Sequence, residues 1–301
     1  MTSRLEIQGV RSAALWMTGS LFAYVAVAVS AREVSAELDT ASLLFFRVTL
    51  SLLVVLTCLP FTPGKFQQLR TKRLGLHVAR NLALTAASFG WFYAIATIPL
   101  AEVFIFEFTT PFWIALLAPF LIGERLTRAR LVSIAIGFVG VLVIVGPGGF
   151  TISAGAAAIL GGAVGFALTM IATRRLSPTE SPVCILTYTL IIQMPILAIL
   201  VASTGTLVIP SSNIWFALVV LVGSNLIAQY CQTRAFSRAD AIVVAPMDYM
   251  RLPLIALVGA YFYDEPLSVT LVIGAFFILL GNMINITNNH PWYWLRRKMR
   301  F

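Results

Sequence analysis

Apolar residues fill this chain in runs of about 20, separated by short polar stretches rich in turn formers. At 1.5 Å of rise per residue, about 20 residues cross the roughly 30 Å hydrocarbon core of a bilayer as one helix. Ten such runs fall at 12–31, 41–60, 75–97, 101–122, 129–146, 153–173, 182–202, 213–234, 240–262 and 267–288. Their linkers are short, as in Phe61-Thr62-Pro63-Gly64 and Gly146-Pro147-Gly148-Gly149. The pattern predicts an all-α membrane protein of ten transmembrane helices, with no run left over for a soluble domain.

Composition agrees: 59% of the 301 residues are hydrophobic and 11% charged, against about 25% charged in soluble domains. The net charge of +9 invites a nucleic-acid reading, but its placement removes that partner. Arg4, Arg11, Lys65, Arg70, Lys72, Arg73, Arg125, Arg128, Arg130, Arg174, Arg175, Arg234, Arg238, Arg296, Arg297, Lys298 and Arg300 all fall on one side of a ten-span chain. The other side has Arg32. Positive charge marks the cytoplasmic face, so a bacterial inner membrane with both termini inside is expected. The tail 291–301, Pro-Trp-Tyr-Trp-Leu followed by basic residues, matches an interfacial anchor to anionic lipid on that face.

Displacing the chain on itself by about 141 residues aligns Glu124 with Glu265, Gly140 with Gly281 and Glu107 with Asp248, and brings Pro111 within one residue of Pro253. The expected units are therefore 1–148 and 149–301, five spans each. An odd number of spans turns the second unit upside down. Inverted repeats of this kind belong to secondary transporters, with a central site between the halves.

Ionisable groups deep in a span cost several kcal/mol and normally face a partner or a wet cavity. Arg47, Arg80, Arg251, Glu107 and Asp248 are the deep ones. Arg47 and Glu107 both lie roughly 9 Å from the outer face, so a pair is expected there. Arg80 and Asp248, roughly 8 and 12 Å from the cytoplasmic face, form a second expected pair. Arg251 then stands near the midplane as a surplus guanidinium suited to a substrate carboxylate. Two plainer readings stay open: a structural i, i+3 pair of Asp248 with Arg251, and an Arg80 that reaches to the surface. Tyr249, Tyr188, Trp91 and Tyr93, with Gln193, Asn225 and Gln229, are candidate cavity residues, the amides because buried amides need partners. Pro111, Pro246 and Pro253 remove backbone donors and are candidate hinges.

Cys58, Cys184 and Cys231 are far apart in sequence, and His77 and His290 sit near basic loops. No zinc or redox spacing results, so neither metal nor cofactor is expected. No serine–histidine pair or HExxH motif supports an enzyme. No nucleotide-binding motif is present. Gly161-x-x-x-Gly165 permits a close helix contact, expected inside the chain, which fits a monomer or weak dimer.

Several stretches carry a family likeness: Trp91-Phe92-Tyr93-Ala94, Pro99-Leu100-Ala101-Glu102, Pro111, Gly123-Glu124-Arg125-Leu126, Gly137 and Gly140 in the first half. Ala245-Pro246-Met247-Asp248-Tyr249-Met250-Arg251-Leu252, Gly259, Tyr261 and Asp264-Glu265-Pro266 follow in the second. The chain resembles the drug/metabolite transporter superfamily in its ten-span EamA-type branch. That resemblance implies transport of a small metabolite. Similar proteins import S-adenosylmethionine or riboflavin or export metallophores, and more distant ones export amino acids. Together with the charge count, it favours uptake of a zwitterionic, amino-acid-like molecule of the S-adenosylmethionine type. Export of amino acids, metallophores or drugs is the alternative within the fold, and a passive channel or membrane-embedded interaction protein the alternative outside it.

Overall fold

A computed structural model of the chain describes residues 2–62, 65–122, 128–145, 152–176, 179–205, 207–236, 247–248 and 250–289. Within them the chain is helical: α1 Thr2–Ser35, α2 Thr40–Cys58, α3 Leu74–Thr97, α4 Leu100–Glu107, α5 Thr110–Ile122, α6 Arg128–Val145, α7 Ala154–Leu176, α8 Pro182–Thr204, α9 Trp215–Phe236, α10 Arg251–Phe262 and α11 Val269–Asn289. Two short 3-10 turns, Leu59–Phe61 and Lys65–Leu69, follow α2. The ten expected spans are all present, the fourth as α4 plus α5 and the ninth ending in α10. Among the described residues, six apolar segments are long enough to cross a membrane, and Leu131–Ile144, Arg251–Phe262 and Val269–Ile284 are shorter apolar helices. The basic tail 291–301 and the expected unit boundary at 148–149 lie outside the described residues.

Local chemistry starts and stops the helices. Asp39 caps α2 by accepting from the amides of Ala41 and Ser42 at 3.1 and 3.4 Å. Ser181 caps α8 by accepting from the Cys184 amide at 3.1 Å, with Pro182 in the first turn. Gly205, at φ 67°, ends α8 in the left-handed conformation that a Cβ would oppose. Buried hydroxyls bond back along their own helices, as Ser30 does to the Ala26 carbonyl at 2.6 Å.

The packing has the symmetry of a duplicated chain. The closest helix partnerships are α1 with α9, α3 with α7, and α6 with α11; α2 packs on α8 and α4 on α10. Exchanging each span with the one five places later leaves this set unchanged. The fold is therefore two inverted five-helix repeats interlocked through every span. Glycines let the central pairs approach: a Cβ on Gly140 would stand 2.6 Å from the Gly274 carbonyl, and one on Gly281 would stand 2.7 Å from that of Ser133. Gly165 meets Ala83 and Ala87 of α3, so that contact is internal, whereas Gly161 faces open space.

Two spans expected to be continuous are broken. The fourth stops at Glu107 and restarts at Thr110. The ninth is helical at Met247 and Asp248 and restarts at Arg251. The breaks are related by the repeat, and Pro111 and Pro253 each sit in the first turn of the restarted helix, where a missing N–H costs little.

Candidate functional site

The breaks free backbone groups that lipid cannot satisfy. Protein supplies the partners. The buried Asn282 of α11 donates to the Phe108 carbonyl at 2.7 Å. Thr109 and Thr110 hydroxyls donate to the carbonyls of Phe106 and Glu107, each at 2.6 Å.

Held this way, the two broken ends meet. Arg251 Nη2 donates to Glu107 Oε1 at 3.2 Å and to Asp248 Oδ2 at 3.3 Å. Trp91 Nε1 donates to the other Glu107 oxygen at 2.7 Å. The guanidinium carbon lies 4.6, 5.0 and 5.3 Å from the rings of Tyr24, Phe104 and Phe108, a cage favourable to a cation. Tyr24 is itself placed by a 3.2 Å hydrogen bond from its hydroxyl to Gln232 of α9. The Arg251 side chain is 6% exposed, against 20% and 19% for Glu107 and Asp248. A carboxylate ending α4 and an arginine opening α10 both oppose the local helix dipoles. Their pairing offsets that penalty across the repeat interface.

This geometry changes the charge assignment reached from depth alone. Glu107 pairs with Arg251, not with Arg47. Asp248 also pairs with Arg251, and Arg80 is held by neutral groups instead: Thr173 and Thr189 hydroxyls at 2.7 Å and the Asn81 side-chain oxygen at 3.0 Å. Arg251 is therefore matched twice within the protein. Of the three deep arginines, Arg47 has neither an ion pair nor a side-chain hydrogen bond among the described residues; it is half-buried, 5.3 Å above the ring of Phe92. Phe92 adjoins Trp91 on α3, and their rings meet edge to face at 4.8 Å.

The other candidates scatter. Tyr188 stacks on His77 at 4.6 Å and donates to the Leu69 carbonyl at 3.1 Å, so it serves the end of the bundle where α3 begins. Gln193 is buried in α8; Asn225 is half-buried and Gln229 exposed on α9; Tyr93 is half-buried on α3. Tyr249 and Pro246 lie outside the described residues.

The EamA-like transporter family matches residues 11–146 and again 153–287. The chain belongs to the EamA-like transporter family. It is 31% identical over 269 residues to a riboflavin transporter of Brucella anthropi, covering 87% of this chain and 94% of that protein. An S-adenosylmethionine uptake transporter of Rickettsia conorii is 29% identical, with 82% of each chain covered. A pseudopaline exporter of Pseudomonas aeruginosa is 27% identical, covering 90% of this chain and 95% of that one. A protein crystal structure of 22% identity matches 97% of this chain and 99% of its own at a TM-score of 0.65, which supports the shared fold. This EamA-family member is thus a multi-pass membrane transporter of small molecules from a bacterial transporter family, not an enzyme.

Two clusters escaped the sequence reading of this EamA protein. At the end of α1, Arg32 bonds Glu265 at 3.0 Å and the Ile98 carbonyl at 2.7 Å. Glu265 in turn accepts from the Leu100 amide at 2.8 Å, and Tyr263 donates to Glu33 at 3.0 Å. Burial first, and then that hydrogen bond to Glu33, pushes the Tyr263 phenol above its ordinary pKa of 10.0. This network ties the first span to the loops after the third and ninth. Arg32 as the one cation on its side was the available signal. At the opposite end of the bundle, where α3 and α8 begin, His77, Glu180 and Cys184 come together, with no signal in their spacing.

Proposed function

We propose that this chain is an inner-membrane secondary transporter, with both termini cytoplasmic, that moves a small zwitterionic, amino-acid-like metabolite by alternating access. Uptake of an S-adenosylmethionine-type molecule is the favoured case. One observation carries the reading: α3 connects two poles of opposite charge through adjacent residues. Phe92 underlies Arg47, a cation without an acid among the described residues, and Trp91 bonds the Glu107–Arg251–Asp248 triad, two acids sharing one cation. A substrate carboxylate complements the first pole, with guanidinium fork geometry. A substrate cation complements the second. Asp248 Oδ1, buried and without a hydrogen bond among the described residues, is the atom available to such a group. The outer network around Arg32 and Glu265 is the contact that opening toward the outside has to break. Arg251 in this scheme joins the repeats and tunes the second pole, and the substrate anion goes to Arg47.

A second reading follows from the 31% identity to the Brucella riboflavin transporter. A neutral flavin has no use for a free guanidinium. Thermal stabilisation of the purified protein separates the two, since a ligand at 100 times its Kd adds about 2.7 kcal/mol. S-adenosylmethionine is expected to stabilise the wild type and to lose that effect in Arg47→Gln. Stabilisation by riboflavin, with none by S-adenosylmethionine or other amino-acid-like compounds, overturns the zwitterion reading.

A further inference from the structure

The buried cluster at the cytoplasmic junction of the two repeats is built like a metal site. His77, one turn into α3, is 0% exposed, and both of its ring nitrogens are buried without a hydrogen-bond partner among the described residues. A polar ring sealed away with neither nitrogen satisfied needs a reason. Its neighbours supply one. Ser181 caps α8 so that Glu180, just before the helix, and Cys184, in its first turn, present their side chains together. Cys184 is 0% and Glu180 8% exposed, and the thiol donates to Glu180 Oε2 at 3.2 Å. One ligand atom from each of the three residues lies within 4.8 Å of the other two.

We propose that His77, Glu180 and Cys184 bind a divalent transition metal of the zinc class. Imidazole nitrogen, thiolate sulfur and carboxylate oxygen are a zinc-type donor set, with a fourth position left for water. Ligand atoms around tetrahedral zinc stand roughly 3.3–3.8 Å apart, so closure asks for an adjustment of about 1 Å. The charges suit the burial: one thiolate and one carboxylate neutralise a dication, leaving no net charge in the low-dielectric interior. Binding replaces the thiol proton, which leaves to solvent. Supporting contacts orient the ligands as outer partners do in established sites. Tyr188 stacks on the His77 ring at 4.6 Å, and the Thr71 hydroxyl donates to the second Glu180 oxygen at 2.8 Å. Arg80, the nearby cation on α3, turns its guanidinium to Thr173, Asn81 and Thr189.

His77 comes from the first repeat and the other two ligands from the second. Bound metal therefore staples α3 to the α7–α8 junction, where Arg73 also bonds the Arg175 carbonyl at 2.6 Å. Occupancy opposes any separation of the repeats at this face.

The test uses the full chain in detergent with Cys58→Ser and Cys231→Ser, which leaves Cys184 as its one thiol. Titration with Co2+ is expected to give a thiolate-to-cobalt charge-transfer band and tetrahedral visible bands, saturating at one ion per chain and displaced by Zn2+. His77→Gln is expected to weaken the affinity at least tenfold, and Cys184→Ser to abolish the charge-transfer band. Absence of a thiolate band in the single-thiol protein overturns the proposal without any variant of the site. Cobalt bound only through surface groups, with the band missing or unchanged in folded Cys184→Ser, overturns it as well.

Discussion

Glu107→Gln removes one acid from the triad while keeping a carbonyl for Trp91 Nε1, so it isolates the charge. The lost interaction is a hydrogen bond between ionised groups at 3.2 Å, with Arg251 6% exposed and Glu107 20% exposed. Such bonds contribute about 1.5–3 kcal/mol. Two effects reduce the loss: Asp248 still holds Arg251 at 3.3 Å, and a neutral amide at the C-terminal end of α4 escapes about 0.3–1 kcal/mol of unfavourable dipole interaction. The net expectation is a destabilisation of about 1–2 kcal/mol. At about 2–4 °C per kcal/mol, that is a fall in Tm of about 2–8 °C. Asp248→Asn is expected to behave similarly. The double variant leaves a buried guanidinium with no acid and is expected to cost about 3–5 kcal/mol, more than the two singles together. Thermal unfolding in detergent, followed by intrinsic fluorescence, reads all three. A Glu107→Gln Tm equal to wild type, with a strictly additive double variant, refutes the shared-cation geometry.

Asn282→Ala removes the donor to the Phe108 carbonyl at the break and is expected to destabilise by about 1–3 kcal/mol in the same melt; no change means that this bond does not hold the break. Tyr263→Phe tests the network around Arg32 and Glu265 through pH. Because the folded phenol titrates above its ordinary 10.0, its contribution is whole below about pH 10 and is lost as pH rises through the folded value. The variant is expected to be less stable than wild type at neutral pH by under about 1 kcal/mol, since the bond is exposed. That gap should close above about pH 10, and a gap that widens there contradicts the assignment.

The spans were legible because lipid asks a simple question of a sequence: apolar length. The duplication was legible from Glu107/Asp248 and Gly140/Gly281, and both pairs occupy related places in the fold. The i, i+3 pair of Asp248 with Arg251 was legible, but the two pairs between spans were misassigned because depth is one coordinate. Arg47 and Glu107 share a depth, yet α4 packs on α10, so Glu107 turns to Arg251. Arg80 needed no acid because Thr173, Thr189 and Asn81 suffice, and hydroxyls at a distance in sequence announce nothing. Pro111 and Pro253 pointed to irregular helix. That Pro111 opens a restarted half-helix follows from Asn282 and Thr110 satisfying the freed carbonyls of Phe108 and Glu107, partners that the proline itself does not announce. His77 and Cys184 lie more than one hundred positions apart, so only the α3–α8 junction brings them together.

Uptake of labelled S-adenosylmethionine into proteoliposomes, wild type beside Arg47→Gln and Arg47→Lys, tests most directly whether Arg47 receives the substrate anion. A charge-assisted contact of about 1.5–3 kcal/mol corresponds to roughly 10–100-fold, so Arg47→Gln is expected to lose uptake by that factor and Arg47→Lys to keep part of it. Equal uptake by all three proteins contradicts the account.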